Sequence, residues 1–189
     1  MEQLRGKNKA VFIDRDGTII KERCYLSKIK DISFLSGAVK ALHLLKSAGY
    51  KLILVTNQSG IARGYLTEKK LLRIHDYIQK YLKQKGVEFD AVYYCKHGPD
   101  DKCSCRKPRT GMVEQASKRY NIDLKRSFVI GDHLNDFLLG KNMGGRAVFV
   151  LTGHGKEEYA KLGAGKFRQK PDKVAKNILM GVKWILKQK

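Results

Sequence analysis

No apolar run in this 189-residue chain approaches the ~18 residues needed to span a bilayer, which excludes a membrane-spanning helix. The N-terminal stretch MEQLRGKNKAVFIDRDG is charged where an export signal would be apolar, so cytoplasmic residence is expected. Acidic residues are scarce: 18 Asp plus Glu stand against 39 Lys plus Arg, a formal net charge of +21. A surplus of this sign implies attraction to something anionic, whether nucleic acid, a membrane surface or a phosphorylated metabolite. Hydrophobic residues nevertheless make up 42% and the aromatics are spread along the chain, which argues against a disordered basic tail. Cysteine is sparse, with Cys24, Cys95, Cys103 and Cys105 alone. Three of the four fall within eleven positions alongside His97, and without an export signal that clustering reads as metal binding rather than as a disulfide framework. Repeats, low-complexity stretches and long linkers are missing too. One domain over residues 1–189 is therefore expected, long enough to bury about 70% of the surface an unfolded chain exposes.

What is present is an alternation of short apolar strands and amphipathic helices. Residues 9–14 (KAVFID) form an apolar run that ends on a carboxylate, residues 51–56 (KLILVT) end on a hydroxyl, and residues 127–132 (SFVIGD) end on an acid again. Continuously apolar strands of this length suit a parallel sheet buried on both faces. Further strands are expected over residues 89–94 and 147–151. Helices are expected over residues 38–48, ended by Gly49, and over residues 67–85, with Thr67 as N-cap and Gly86 as the stop. Two more are expected over residues 111–120 and 171–186, the last opening on Pro171. The order predicts an α/β domain with a doubly wound, mostly parallel sheet, whose ligand sits at the carboxyl ends of the strands. Asp14, Asp16, Thr56, Asn57 and Asp132 all fall at or just beyond those ends.

The sequence DRDGT places Asp14 at a strand end and Asp16 on the turn beyond it, with Gly17 allowing the turn to be tight. The pair offers a nucleophile beside a proton carrier. Asp132 adds a third carboxylate, and hard oxygen ligands beside a phosphate make a Mg²⁺ site that relieves repulsion between carboxylate and phosphoryl oxygens. Thr56 and Asn57 are placed to hydrogen-bond phosphoryl oxygens, and Lys107 to balance their charge. Separately, Cys95, His97, Cys103 and Cys105 form a Cys₃His set within one loop, residues 95–108, the composition of a closed structural Zn²⁺ site. Such an ion would fix the loop and aim Arg106 and Lys107 at the crevice, while Cys24 stands apart as a solitary thiol.

DRDGT, strand-end Thr56, Lys107 and GDHLND (residues 131–136), in this order, resemble the haloacid dehalogenase (HAD) superfamily of phosphohydrolases. The resemblance implies that Asp14 attacks the phosphoryl group to form an aspartyl-phosphate and that Asp16 protonates the leaving group and then activates water. It implies Mg²⁺ held by the Asp14 side chain, the Asp16 backbone carbonyl and Asp132, with Asp136 orienting the cluster. FIDRDGTI, VTNQSGIARG, the C-x-H…C-x-C loop running into CRKPRTGM, and IGD narrow the likeness to the heptose 1,7-bisphosphate 7-phosphatases over nearly the whole chain. On that likeness Thr56, Asn57, Gln58 and Ser59 line the phosphate and substrate site, Arg106 recognises substrate, and Lys107 stabilises the phosphoryl group. Glu22, Arg23, Cys24 and Tyr25 close over the sugar, no insertion being long enough for a separate cap domain. His133 joins the substrate site where the family commonly has lysine. A phosphorylated sugar is the expected partner, with a monomeric protein. Histidinol-phosphate phosphatases carry similar motifs, and polynucleotide 3′-phosphatases share DxDGT and TNQ-x-GI-x-RG, with the +21 charge fitting DNA. The chain has no P-loop (G-x-x-x-x-G-K-[ST]), and its basic residues are scattered rather than grouped with aromatics as a strand-binding groove requires. A non-catalytic nucleic-acid module using the cysteine loop as a zinc knuckle has no use for both aspartates, Lys107 and Asp132.

Overall fold

The computed structural model describes residues 7–162 and 169–188, so the charged N-terminal six residues lie outside it. Six parallel strands form one sheet: β1 (Ala10–Ile13), β2 (Lys51–Asn57), β3 (Ala91–Cys95), β4 (Phe128–Gly131), β5 (Arg146–Val150) and β6 (Lys173–Ala175), in the order β3-β2-β1-β4-β5-β6. Among the described residues six α-helices accompany them: α1 (Ala38–Ser47), α2 (Glu68–Gln84), α3 (Gly111–Tyr120), α4 (Leu134–Asn142), α5 (Gly155–Lys161) and α6 (Ile178–Ile185).

The apolar strands do what their composition requires, burying both faces. Val11 and Ile13 of β1 pack in a core with Leu42, Leu45, Ile74, Ile78 and Ile178 of α1, α2 and α6. Ala10 and Phe12 pack in a second core with Met112, Val113, Ala116 and Leu139 of α3 and α4. Each large side chain so enclosed contributes about 1.5–3 kcal/mol relative to exposure. Helix limits follow local chemistry: the Thr67 hydroxyl accepts from the Lys70 N–H, and Gly86 takes a left-handed φ of 78° just past α2.

Two expectations need correction. The helix expected over residues 171–186 is instead a short strand followed by α6, because Lys173–Ala175 pairs in parallel with β5 and the Leu151 N–H donates to the Ala175 carbonyl at 2.9 Å. Asn177 then takes extended backbone and caps the real helix, its side chain accepting from the Met180 N–H. The strand expected from residue 89 begins at Ala91, since the side-chain amide of Gln79 satisfies both backbone groups of Phe89. Helices α4 and α5 lie outside those that periodicity predicts; α4 is short, and its His133 cap, rather than an apolar stripe, marks its start.

The sheet order puts the topological switch point between β1 and β4, each the first strand to face away from the other half, and a crevice opens there at the carboxyl ends. Among the described residues between β1 and α1, regular structure is limited to one short 3₁₀ turn, Ile29–Asp31, with no inserted domain.

Candidate active site

β1 ends directly on Asp14 and β4 on Asp132, and these neighbouring strands bring the two carboxylates together with Asp136 from the first turn of α4. One oxygen from each lies within 4.8 Å of the others, and all three residues are buried. Lys107 reaches the cluster from the far end of the cysteine loop. Its Nζ donates to Asp14 Oδ1 at 2.6 Å, to Asp136 Oδ1 at 2.5 Å and to the Val55 carbonyl at 3.0 Å, with only 3% of the residue exposed. Its backbone is clamped to β2: the Lys107 N–H donates to Asn57 Oδ1 and the Asn57 side-chain amide donates to the Lys107 carbonyl.

Asp132 is set between two glycines. A Cβ on either Gly17, at φ 72°, or Gly153, at φ 53°, would collide with its carboxylate. The His154 N–H donates to Asp132 Oδ2 at 2.8 Å. Asp136 has both oxygens engaged, one by Lys107 and the other by the His133 N–H at 3.2 Å, so it braces Lys107 and the start of α4.

So much negative charge in so little water is unfavourable by itself. Burial, then the neighbouring carboxylates of Asp136 and Asp16, push Asp14 up to about 7 against the pull of Lys107. Burial and the charges of Asp14 and Asp136 push Asp132 up to about 9. Burial also pushes the Lys107 ammonium down, but the carboxylates of Asp136 and Asp14 outweigh it and hold the group firmly charged. One cation for three acids leaves a deficit that a divalent ion fits, with an all-oxygen donor set of the kind Mg²⁺ takes. Asp14, Asp132 and Asp136 each offer an oxygen to such an ion; Asp136 is also the one whose two oxygens brace Lys107 and the start of α4.

Asp16 lies beside this cluster with its side chain directed elsewhere: Oδ2 accepts from Gln58 Nε2 at 3.0 Å and from Arg15 Nε at 3.0 Å. Gln58 also donates to the Thr56 hydroxyl at 2.9 Å, tying β2 to the Asp14–Asp16 turn.

A cleft of about 430 Å³ opens above these groups. Asp14, Asp16, Thr56, Asn57, Lys107 and Asp132 line its floor together with Gln58 and Ser59. The segment Glu22, Arg23, Cys24 and Tyr25 lines it as well, and so do Arg106 and His133. Every residue placed at the substrate or Mg²⁺ site from sequence is thus brought to one cavity. Sequence reasoning missed Arg15 and His154, which also line it. His154 follows the β5 strand end, the same topological cue that picks out Asp132. Arg15 is hidden by lying between two more conspicuous aspartates.

The second metal-binding set lies at the end of β3. Cys95 Sγ is 3.7 Å from Cys103 Sγ and 3.2 Å from Cys105 Sγ, and His97 Nδ1 is 3.6 Å from Cys95 Sγ and 3.3 Å from Cys105 Sγ. Zinc bonds of usual length in a tetrahedron give edges of about 3.8 Å between sulfurs and about 3.6 Å from nitrogen to sulfur. The donor set and spacing therefore fit Zn²⁺ through Nδ1 and three thiolates. Cys24 is exposed, lines the cleft and is not part of this group. Arg106, which lines the cleft, donates from Nη1 to the His97 carbonyl, so a cleft-lining side chain is tied to the backbone of the cysteine loop.

Comparison with known proteins follows the same lines. A family model described as HAD-hydrolase-like matches residues 104–180. The chain is 44% identical over 146 residues, 77% of its length and 84% of the relative's, to a D-glycero-beta-D-manno-heptose-1,7-bisphosphate 7-phosphatase of Helicobacter pylori. It is 43% identical over 157 residues, 79% of its length and 86% of the relative's, to a D-glycero-alpha-D-manno-heptose-1,7-bisphosphate 7-phosphatase of Photorhabdus laumondii. Its fold matches the crystal structure of D,D-heptose 1,7-bisphosphate phosphatase from B. bronchiseptica complexed with magnesium and phosphate, with a TM-score of 0.86 and 32% identity, covering 96% of this chain and 99% of that one. On these identities and coverages, the chain belongs to the heptose 1,7-bisphosphate 7-phosphatase family of HAD-like hydrolases.

Proposed function

We propose that this protein, acting as one domain, hydrolyses the 7-phosphate of D-glycero-D-manno-heptose 1,7-bisphosphate through an aspartyl-phosphate on Asp14. The observation that carries the reading is the buried Asp14 carboxylate held at 2.6 Å by Lys107, at the switch point of a sheet whose relatives bear that activity in their names. A Mg²⁺ ion held by Asp14, Asp132 and the Asp16 carbonyl would neutralise carboxylate and phosphoryl charge as they approach.

Asp14 supplies the attacking oxygen, and Lys107, donating to it at 2.6 Å, favours its carboxylate form against the effect of burial. Asp16 gives a proton to the leaving sugar oxygen and takes one from the water that hydrolyses the acyl phosphate. The Thr56 hydroxyl and the Ser59 side chain offer partners to phosphoryl oxygens. At the mouth Arg23 and Arg106 bring positive charge to a substrate that carries a second phosphate, and the segment from Glu22 to Tyr25 covers the sugar. Zn²⁺ on Cys95, His97, Cys103 and Cys105 is structural in this reading, setting Arg106 and Lys107 through the loop.

The relatives' names include both anomers. The DNA-phosphatase reading has the net charge and the shared DxDGT and TNQ-x-GI-x-RG motifs behind it, whereas the relatives named above are heptose bisphosphate phosphatases.

The experiment is to quench the enzyme during turnover, reduce the acyl phosphate with borohydride and sequence the product by mass spectrometry. Conversion of residue 14 to homoserine is expected, with Asp14→Asn losing turnover by at least ~1,000-fold while retaining its fold. Modification at another residue, or substantial activity of Asp14→Asn, removes Asp14 as the nucleophile.

A further inference from the structure

The Asp16 carboxylate is held by a side chain that is itself held. Arg15 is the largest fully buried side chain among the described residues, at 1% exposure. Its Nε and Nη2 lie 3.0 and 2.8 Å from Asp16 Oδ2. A guanidinium withdrawn so far from water needs its other nitrogen engaged as well. That nitrogen, Nη1, lies 3.1 Å from Nε2 of His75 on α2, sixty positions along the chain.

Arginine has no acceptor, so Nε2 must accept and the ring proton sits on Nδ1. Burial and then the Arg15 charge push His75 down to about 3, keeping the imidazole neutral at any working pH. Among the described residues Nδ1 is left buried with no hydrogen-bond partner. An unmade buried donor destabilises a fold, and leucine would avoid it. The neighbours of His75 on the buried face of α2 are Leu71, Ile74 and Ile78, which shows what the packing alone asks for. What histidine supplies and leucine lacks is the acceptor facing Arg15.

We propose that His75 is a positioning residue for Asp16: it fixes the guanidinium of Arg15, and Arg15 fixes the carboxylate that exchanges protons with the leaving oxygen. The inference rests on the reading of Asp16 as the acid/base group. In the first half-reaction an Asp14 oxygen bonds to phosphorus, the bond from phosphorus to the ester oxygen breaks, and that oxygen takes the proton from Asp16. A sugar alkoxide needs this proton. The p-nitrophenolate ion leaves without it, so a misplaced Asp16 penalises the two leaving groups unequally.

The test is single-turnover kinetics of the Mg²⁺-loaded enzyme on heptose 1,7-bisphosphate and on p-nitrophenyl phosphate. His75→Leu is expected to slow phosphoryl transfer from the sugar phosphate roughly 10- to 100-fold, part of the usual contribution of a general acid, while the nitrophenol burst and the KM values move less than about threefold. His75→Gln, whose amide oxygen can accept from Arg15, restores most of the loss. Should His75→Leu fail to fold, Arg15→Met cuts the same link from its other end and is expected to give the same split. Equal losses on both leaving groups, or undiminished sugar phosphate turnover, overturn the proposal. Asp16→Asn is the control. If it lacks the split, the acid/base reading falls and this inference with it; if it shows the split and His75→Leu does not, only the positioning role falls.

Discussion

Lys107 is where the electrostatics of single residues decide most. Its ammonium is the shared partner of Asp14 and Asp136, all three being buried, and the Val55 carbonyl takes another of its hydrogens. Removing one member of a buried ionic group leaves the others uncompensated, which typically costs about 3–5 kcal/mol. Lys107→Met is accordingly predicted to lower stability by about that amount in urea unfolding and to cut kcat by about 100- to 1,000-fold. Unchanged stability would mean that the three groups are not charged together. The residues of this network are legible in sequence to different degrees. Asp14 and Asp132 stand at the ends of apolar strands, and Lys107 follows a cysteine cluster, so each has a local cue. The contact of Arg15 with His75 has none: it spans sixty positions, and a histidine on the apolar face of α2 reads as ordinary core.

Among the elements, the cysteine loop links metal binding to the cleft. Cys95 closes β3, Arg106 donates to the His97 carbonyl, and the next residue, Lys107, is clamped to Asn57 of β2. Loosening the loop should thus reach the active site. Cys103→Ser is predicted to lower zinc content from about one ion per chain and to lower Tm with it, by about 2–4 °C for each kcal/mol lost in a chain of this size. Metal analysis beside a thermal scan checks both, and unchanged zinc stoichiometry refutes the Cys₃His site. Elements differ in legibility for a physical reason. β1, β2 and β4 are buried on both faces and read as unbroken apolar runs, and α2 and α3 carry a periodic apolar stripe between clear stops. β6 is three residues at the sheet edge, half-buried, and its Val174 and Ala175 fit a helical period with Ile178 as well as they fit a strand. Only pairing with β5, a tertiary fact, decides between them.

At the scale of the whole molecule, strand order places the chemistry. β2 lies on one side of β1 and β4 on the other, so motifs separated by more than a hundred residues meet above a single switch point. The α/β class and the convergence of Asp14, Asp16, Thr56, Asn57 and Asp132 were readable from chain order alone, because parallel strands present all their carboxyl ends on one edge. The +21 charge was the ambiguous global property, fitting a phosphorylated sugar and a nucleic acid equally well. Among the described residues no helix is long and apolar enough to cross a membrane. The most direct test is Mg²⁺-dependent phosphate release from the two anomers of heptose 1,7-bisphosphate, histidinol phosphate and a 3′-phosphorylated oligonucleotide under identical conditions. A sugar bisphosphate phosphatase built on Asp14 releases one phosphate from a heptose anomer at least ~100-fold more efficiently than from the other two compounds, leaving the 1-phosphate in place. Preference for histidinol phosphate or for the oligonucleotide, or loss of the 1-phosphate first, contradicts it.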